Sequence, residues 1–234
     1  MPISRDDVVR AAVEVLDEEG LAGLTLRGVA ARLGVSAPTL YWHVRDKRHL
    51  LDLVADSVLA EVPESTRAPR PGEPVWEWLA EASRVRRALL LAHRDSVQVV
   101  AGNRPTEVAL PGIERTLRVL VEAGLEPGEA VRVVTALGSF VLGDALETQT
   151  ALDRPTGEPD GGPLGDPDRF PTLAAAVPTA GGDEERFEEG LALFLDGLRA
   201  RLERRDRARR EAALDCPAPE VERLGPGAPV TARD

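Results

Sequence analysis

Cysteine is almost absent from this chain: of 234 residues only Cys216 is one. A single thiol excludes an internal disulfide framework and fits a reducing compartment. Cys216 stands in a proline-rich tail and reads as incidental, not catalytic. Aromatic residues make up 3% of the chain, so any core has to be aliphatic, built from Leu, Val and Ala. There is no apolar run of about 18 residues, the length a helix needs to cross a bilayer, and no leader-type segment at the start. A cytoplasmic protein with no membrane partner is expected. Also missing are a glycine-rich phosphate loop, a Cys/His metal spacing and a nucleophile elbow. His43, His49 and His93 are too scattered to define a metal site. Nothing positive points to an enzyme, and no cofactor or metal is expected.

Charge is the next constraint. A formal net charge of −11 argues against indiscriminate coating of nucleic acid, although a local patch escapes that objection. Residues 24–50 hold five basic residues (Arg27, Arg32, Arg45, Lys47, Arg48) against one acid, Asp46, whereas residues 1–23 hold two basic residues against six acids.

That basic stretch has a pattern of its own. Thr25 can cap a helix in which Leu26, Val29, Ala30 and Leu33 share one face. Gly34 falls where a helix ends, supplying the left-handed backbone that glycine adopts cheaply. Ser36 is a second N-cap, and Pro38 sits in the first turn of the next helix, where its missing N–H does no harm. The spacing predicts that helix over 37–44, too short to be stable unless its neighbours hold it. Pro38, Thr39, Tyr41, Trp42 and His43 mix apolar bodies with hydrogen-bonding tips, and cations follow. Two short helices, a tight turn and a positive rim describe a helix-turn-helix laid into a major groove. The blander reading is a helical hairpin with a solvated charged face and a buried aromatic pair.

Before this pair, a helix over about 5–19 carries Val8, Val9, Ala12, Val13 and Leu16 on one face, and Ser4 with Asp7 has the form of a capping box. After it, Asp46 can cap a further helix to about residue 62, with Leu50, Leu51, Val54, Val58 and Leu59 inward. The expected organisation is all-α: an N-terminal three-helix helix-turn-helix domain with its exit helix (1–62), a linker loop with four prolines (63–74), and a larger helical ligand-binding and dimerisation domain (75–205). Within the latter, helices are predicted over 75–93, 95–101, 105–123, 127–150, 172–177 and 183–205, with a mobile Pro/Gly/Asp-rich loop at 153–171. Residues 206–234 are expected to be a disordered tail. The segments around 130–146 and 187–198 are too apolar for one buried stripe. Either they pair with a second subunit as a four-helix bundle, or they run through the centre of a monomer.

Residues 5–60 are similar to the DNA-binding domain of the TetR family of bacterial repressors. The residues that carry this are the helix around Val8–Leu16, GLAGLTLRGVAARLGV at 20–35 and SAPTLYWHVRDKRHLLD at 36–52. PTLYWHV followed by DKR resembles the tetracycline repressor branch. RRALL (86–90), HRD (93–95), GNRP (102–105) and LGDALE (142–147) extend the likeness more thinly to about residue 205. The resemblance implies a homodimer on a double-stranded DNA operator, released by a small-molecule effector. It places Arg27 at a guanine edge or phosphate, Ser36 and Ala37 at the start of the recognition helix, and Pro38 and Thr39 against bases. Tyr41, Trp42, His43 and Lys47 fall at backbone or groove-edge positions. Ala37 stands where the tetracycline branch has a base-reading glutamine, so a different operator sequence is expected.

The same resemblance assigns an effector pocket. Its positions fall at Glu81 and Val85, at Val100, Asn103 and Arg104, at Thr116, Val134 and Gly138, and at Glu147, with His93 beside them. Val100 stands where that branch has its metal-ligating histidine, and a valine cannot coordinate a cation. The effector is therefore expected to be something other than magnesium–tetracycline, apolar or mildly polar, with Glu81 and Glu147 favouring a cation. Two rivals remain. An architectural DNA binder would show little sequence preference; a small-molecule enzyme or carrier would show convergent acid and base groups.

Overall fold

The computed structural model describes residues 3–63, 66, 68–152, 168–176 and 180–214. Among them every regular element is helical: α1 (Arg5–Gly23), α2 (Leu26–Arg32), α3 (Ala37–Leu40), α4 (Lys47–Ala60), α5 (Val75–Ala92), α6 (Ser96–Val100), α7 (Leu110–Glu122), α8 (Pro127–Leu152), α9 (Pro171–Ala176) and α10 (Asp183–Leu214). The helix starts follow the local chemistry. Ser4 Oγ accepts from the Asp7 amide at 3.1 Å while Asp7 accepts from the Ser4 amide at 2.9 Å, a complete capping box. Thr25 Oγ1 accepts from the Gly28 amide at 3.0 Å and Asp46 from the His49 amide at 2.8 Å.

α1 to α4 form the head. Val8, Ala12, Val15 and Leu16 of α1 bury against Val29 and Ala30 of α2, Leu40 of α3 and Leu50, Leu53 and Val54 of α4. α4 leaves this cluster and packs on α5 and α6, so head and core share a continuous apolar interior. In the core α5 lies against α8 and α10. Arg87 of α5 joins the three helices, donating to Asp144 of α8 at 2.5 Å and to Glu184 of α10 at 2.7 Å, with its guanidinium 4.7 Å from the Phe187 ring centre. Phe140 and Phe187 stack at 5.6 Å, and Gly190 is the surface they need: a methyl there would stand 2.7 Å from the Phe140 ring. Gly190 thus serves packing within the chain.

Several expected boundaries move. Helix α1 breaks at Gly20, with φ of 75°, but resumes for one turn to Gly23. Helix α3 ends at Leu40 instead of 44, and the chain continues to Val44 in tight turns, with Tyr41, Trp42 and His43 amides donating three residues back. The helix expected from 105 begins at Leu110, because the backbone at Arg104 and Thr106 is held by carboxylates of α4. Helix α10 runs to Leu214, nine residues beyond the expected end at 205. An ion pair from Arg210 to Asp206 supports the extension, and no proline interrupts it. The predicted loop at 153–171 is described only at residues 168–171, and Cys216 with the rest of the tail beyond Leu214 lies outside the described residues.

Candidate nucleic-acid interface and effector site

The turn between α2 and α3 is set by Gly34 at φ of 67° and by Val35, whose amide returns to the Ala30 carbonyl at 3.0 Å. Beyond it the turn that follows α3 presents its rings to solvent. Tyr41 is 59% exposed and Trp42 88%, so these are not a buried aromatic pair. Ser36 occupies the N-cap position without capping a backbone N–H; its hydroxyl lies 2.8 Å from that of Thr39 instead. Pro38 is exposed, and Ala37, Thr39 and His43 are half-buried at the rim.

The five cations of this stretch divide into two groups. Arg32 is engaged by Glu14 and Glu18 of α1, and Arg48 by Asp52 at 3.0 Å. Arg27, Arg45 and Lys47 are exposed and make no ion pair among the described residues, which leaves them available to phosphates or base edges.

The head is fastened to the core at two places. At the first, the Asp95 carboxylate accepts from the Leu21 amide at 2.7 Å, and Arg94 donates to the Glu18 carbonyl at 3.3 Å. Gly20 is required here twice over: its φ is positive, and a Cβ would stand 2.6 Å from the Asp95 carboxylate. His93, expected near the effector, turns instead to this junction. It lies 3.0 Å from Asp17 of α1 and 3.4 Å from Glu61 at the end of α4. Burial of the ring opposes its charge, but Asp17 and then Glu61 outweigh that and hold its pKa above the ordinary 6.5. A raised value means that this contribution is full below about pH 6.5 and fades as pH climbs through the raised value. Replacing His93 with glutamine should therefore flatten the fall in melting temperature between about pH 6 and 8. An identical pH profile for the two proteins would exclude His93 as its source.

At the second fastening, two buried carboxylates of α4 hold the loop after α6. Asp56 accepts from the Thr106 amide at 2.7 Å and from the Asn103 side chain at 3.1 Å, and Asp52 accepts from the Arg104 amide at 3.2 Å. Neither acid was singled out from the sequence. Their signal was there: polar residues four apart on the otherwise apolar face of α4.

The other expected effector positions are spread around the core. Val100 is buried in the common interior, and Val85 and Val134 are half-buried on α5 and α8. Thr116 bonds the Gly112 carbonyl of its own helix at 3.1 Å. Gly138 has nothing within 4 Å of an added methyl. Glu81 and Glu147 do not face the interior: both are exposed, and Glu81 lies 3.9 Å from Arg84. An open cleft of about 450 Å³ lies at the far end of the core, between Trp76, Val119, Leu202 and Arg205, and none of the ten effector positions lines it.

An outward stripe remains on the two longest core helices. On α8 it runs through Val131, Gly143 and Leu146, and on α10 through Leu193 and Gly197. Exposed apolar and small residues at helical spacing suit the close approach of a second copy.

An exposed recognition turn, an exit helix packed on a helical core and an exposed apolar stripe on α8 and α10 are the features of a helix-turn-helix DNA-binding regulator. Comparison with known proteins narrows this. Residues 8–54 match the family described as bacterial regulatory proteins, tetR family, and residues 68–202 match the tetracyclin repressor-like C-terminal domain. The tetracycline repressor protein class A from transposon 1721 of Escherichia coli is 40% identical over 196 residues, covering 83% of this chain and 89% of that protein. ActR of Streptomyces coelicolor in complex with actinorhodin superposes with a TM-score of 0.74 at 33% identity, over 85% of this chain and 96% of that one. TetR(class A) in complex with 5a,6-anhydrotetracycline and magnesium gives 0.61 at 35% identity, over 82% and 96%. The chain belongs to the TetR family, whose members are ligand-responsive transcriptional repressors that bind operator DNA as dimers. No helix among the described residues is long and apolar enough to cross a membrane.

Proposed function

We propose that the dimer represses transcription at an inverted-repeat operator and is released by an effector other than magnesium–tetracycline. The observation that carries the reading is the exposed α3 turn, with Tyr41, Trp42, Arg27 and Lys47 free at its rim, joined through the buried acids of α4 to the loop around Asn103. Pro38 and Thr39 meet bases, while Tyr41, Trp42, His43 and Lys47 meet the backbone and groove edge. Ser36 and Ala37 bring the turn to the groove. Effector binding favours a state in which α4 shifts with that loop, and the paired recognition helices no longer match successive grooves.

Two features support a different effector. Val100 is an aliphatic side chain 8% exposed and offers no donor atom to a metal, and the named relatives hold unlike molecules, actinorhodin in one and anhydrotetracycline with magnesium in another. Val85, Val100, Asn103, Arg104, Thr116, Val134 and Gly138 remain the proposed pocket. Calorimetry showing magnesium–tetracycline bound with a Kd below about 10 μM would sink this reading.

Selection of bound duplexes from a random pool tests the DNA half. An inverted repeat with half-sites about 10 base pairs apart is expected, and no enriched sequence at low salt would count against it. With that operator, Arg27→Ala should cost about 1–3 kcal/mol at one base position and relax preference there. Lys47→Ala should weaken all sequences alike and lower the salt slope by about one. Equal, sequence-independent losses from both would refute this division of roles.

A further inference from the structure

Three consecutive side chains of the corner between α5 and α6 reach into the head. His93 meets Asp17 of α1 and Glu61 after α4, Arg94 donates to the Glu18 carbonyl, and Asp95 accepts from the Leu21 amide. Asp95 turns the chain there with a left-handed φ of 53°, a conformation that costs a non-glycine residue energy. From behind, Gln149 of α8 donates to the carbonyls of Leu90 and His93, at 2.9 and 3.1 Å. The corner joins α8 to the first and last helices of the head.

Histidine is the side chain that ordinarily changes charge near neutral pH. The His93 side chain is 14% exposed and stands between two carboxylates, with Nδ1 3.0 Å from Asp17 and Nε2 3.4 Å from Glu61. A neutral imidazole carries one N–H. In this position it donates to one carboxylate and sets the lone pair of its other nitrogen against an oxygen of the second. An imidazolium donates to both. The remaining neighbours do not alter that balance: Arg94 and Asp95 are turned to the main chain of α1, and α8 brings the uncharged Gln149. Burial of the ring works against its charge, but Asp17 and then Glu61 outweigh it, in keeping with the donor count.

We propose that this corner is a proton-sensitive clasp: an imidazolium at His93 fastens the head to the core in the operator-binding arrangement, and loss of its proton loosens the head. Acidity is then a second input to operator binding. This rests on the repressor reading above, in which the effector-free arrangement is the one that binds DNA. A head already fixed has less freedom to lose on the operator, and operator binding in turn favours the protonated ring. A ring released from both carboxylates returns toward 6.5. The clasp is therefore complete below about that pH and is lost as pH rises through the higher value of the clasped ring.

Fluorescence anisotropy on the selected operator, with the full-length dimer at constant ionic strength from about pH 6 to pH 8, tests this. His43 and His49 are present in the parent and in His93→Gln alike, so the ratio of the two dissociation constants isolates His93. Near pH 6 His93→Gln should bind about tenfold more weakly, roughly threefold for a partly exposed ion pair at each of two heads. Near pH 8 the ratio should fall to about one. In an Asp17→Asn background the same replacement should cost less at pH 6. A ratio independent of pH, or one that grows toward pH 8, would overturn the clasp. Protection of the Leu21 amide from hydrogen exchange, compared between parent and His93→Gln at each pH, reads the clasp without DNA; greater protection in the parent at pH 6 alone is expected. Protection that follows pH with no matching change in operator affinity overturns acidity as an input. A parent that binds no operator at any pH fails the repressor reading, and the exchange data then decide the clasp by themselves.

Discussion

Leu40→Ala is expected to lower operator affinity by about a hundredfold while the core stays folded. Helix α3 is one turn long, far below the length at which a helix persists on its own propensity. Its position depends on anchoring, and Leu40 is its only fully buried residue, at 0% exposure, with Val44 buried just after it. Truncating a buried leucine costs about 2–5 kcal/mol. If about 1.4 kcal/mol of this appears as misplacement of each recognition turn, affinity falls tenfold per half-site and hundredfold for the dimer. Fluorescence anisotropy on the selected operator measures the loss. Thermal unfolding should show the core helices still folded, because α3 packs on α2 of the head. Trp42→Ala is the contrast, since its exposed ring can be removed with no expected change in stability. Operator binding by Leu40→Ala within twofold of the parent would show that α3 is positioned by something else.

Asp56→Ala should loosen the joint between head and core. The carboxylate is 4% exposed and satisfies two donors, the Thr106 amide and the Asn103 side chain. Removing it leaves both without a partner in a shielded place, at about 1–3 kcal/mol for each. For a chain of this size about 1 kcal/mol corresponds to roughly 2–4 °C, so a melting temperature lower by about 4–24 °C is expected. Hydrogen exchange at Thr106 should accelerate along with it. Asp56→Asn keeps one acceptor oxygen and should recover part of the loss. An unchanged melting temperature together with slow exchange at Thr106 would show that the loop is held independently of α4. The two variants also separate function: Leu40→Ala damages reading of DNA, whereas Asp56→Ala damages the link through which an effector in the core reaches the head.

How much of this was legible in advance depended on the range of the interactions. Thr25, Gly34, Ser4 with Asp7, and Asp46 mark helix ends through bonds spanning three residues, and such bonds can be read from a linear string. The same holds for the inward stripes of α1, α2 and α4. Ser36 is the instructive exception: its type and place predicted a cap, but the hydroxyl of Thr39 lies within reach and takes its place. The length of α3 was overestimated because local propensity alone would carry the helix on to Val44, whereas the chain must tighten there for Val44 to re-enter the core. The extension of α10 was missed because a run of alternating charge reads as a tail until Arg205 and Arg210 are seen to find their carboxylates.

By itself, the amino-acid sequence determined the all-helical class, the helix-turn-helix with its basic rim, and the family. The first two follow from periodicity and from side chains whose roles depend on near neighbours, and the family from the likeness of the 20–52 motifs to known repressors. Only the tertiary structure decided which charges are free. Among the described residues it engages Arg32 and Arg48 with acids while leaving Arg27, Arg45 and Lys47 open, turns His93 toward Asp17 and Glu61, and brings Asp52 and Asp56 onto the loop some fifty residues away. It also surrounds Arg87 with the carboxylates of Asp144 and Glu184. A charge has the same chemistry wherever it stands in the chain; its function is set by what the fold places within about 4 Å of it, because Coulombic and hydrogen-bonding partners act at that distance.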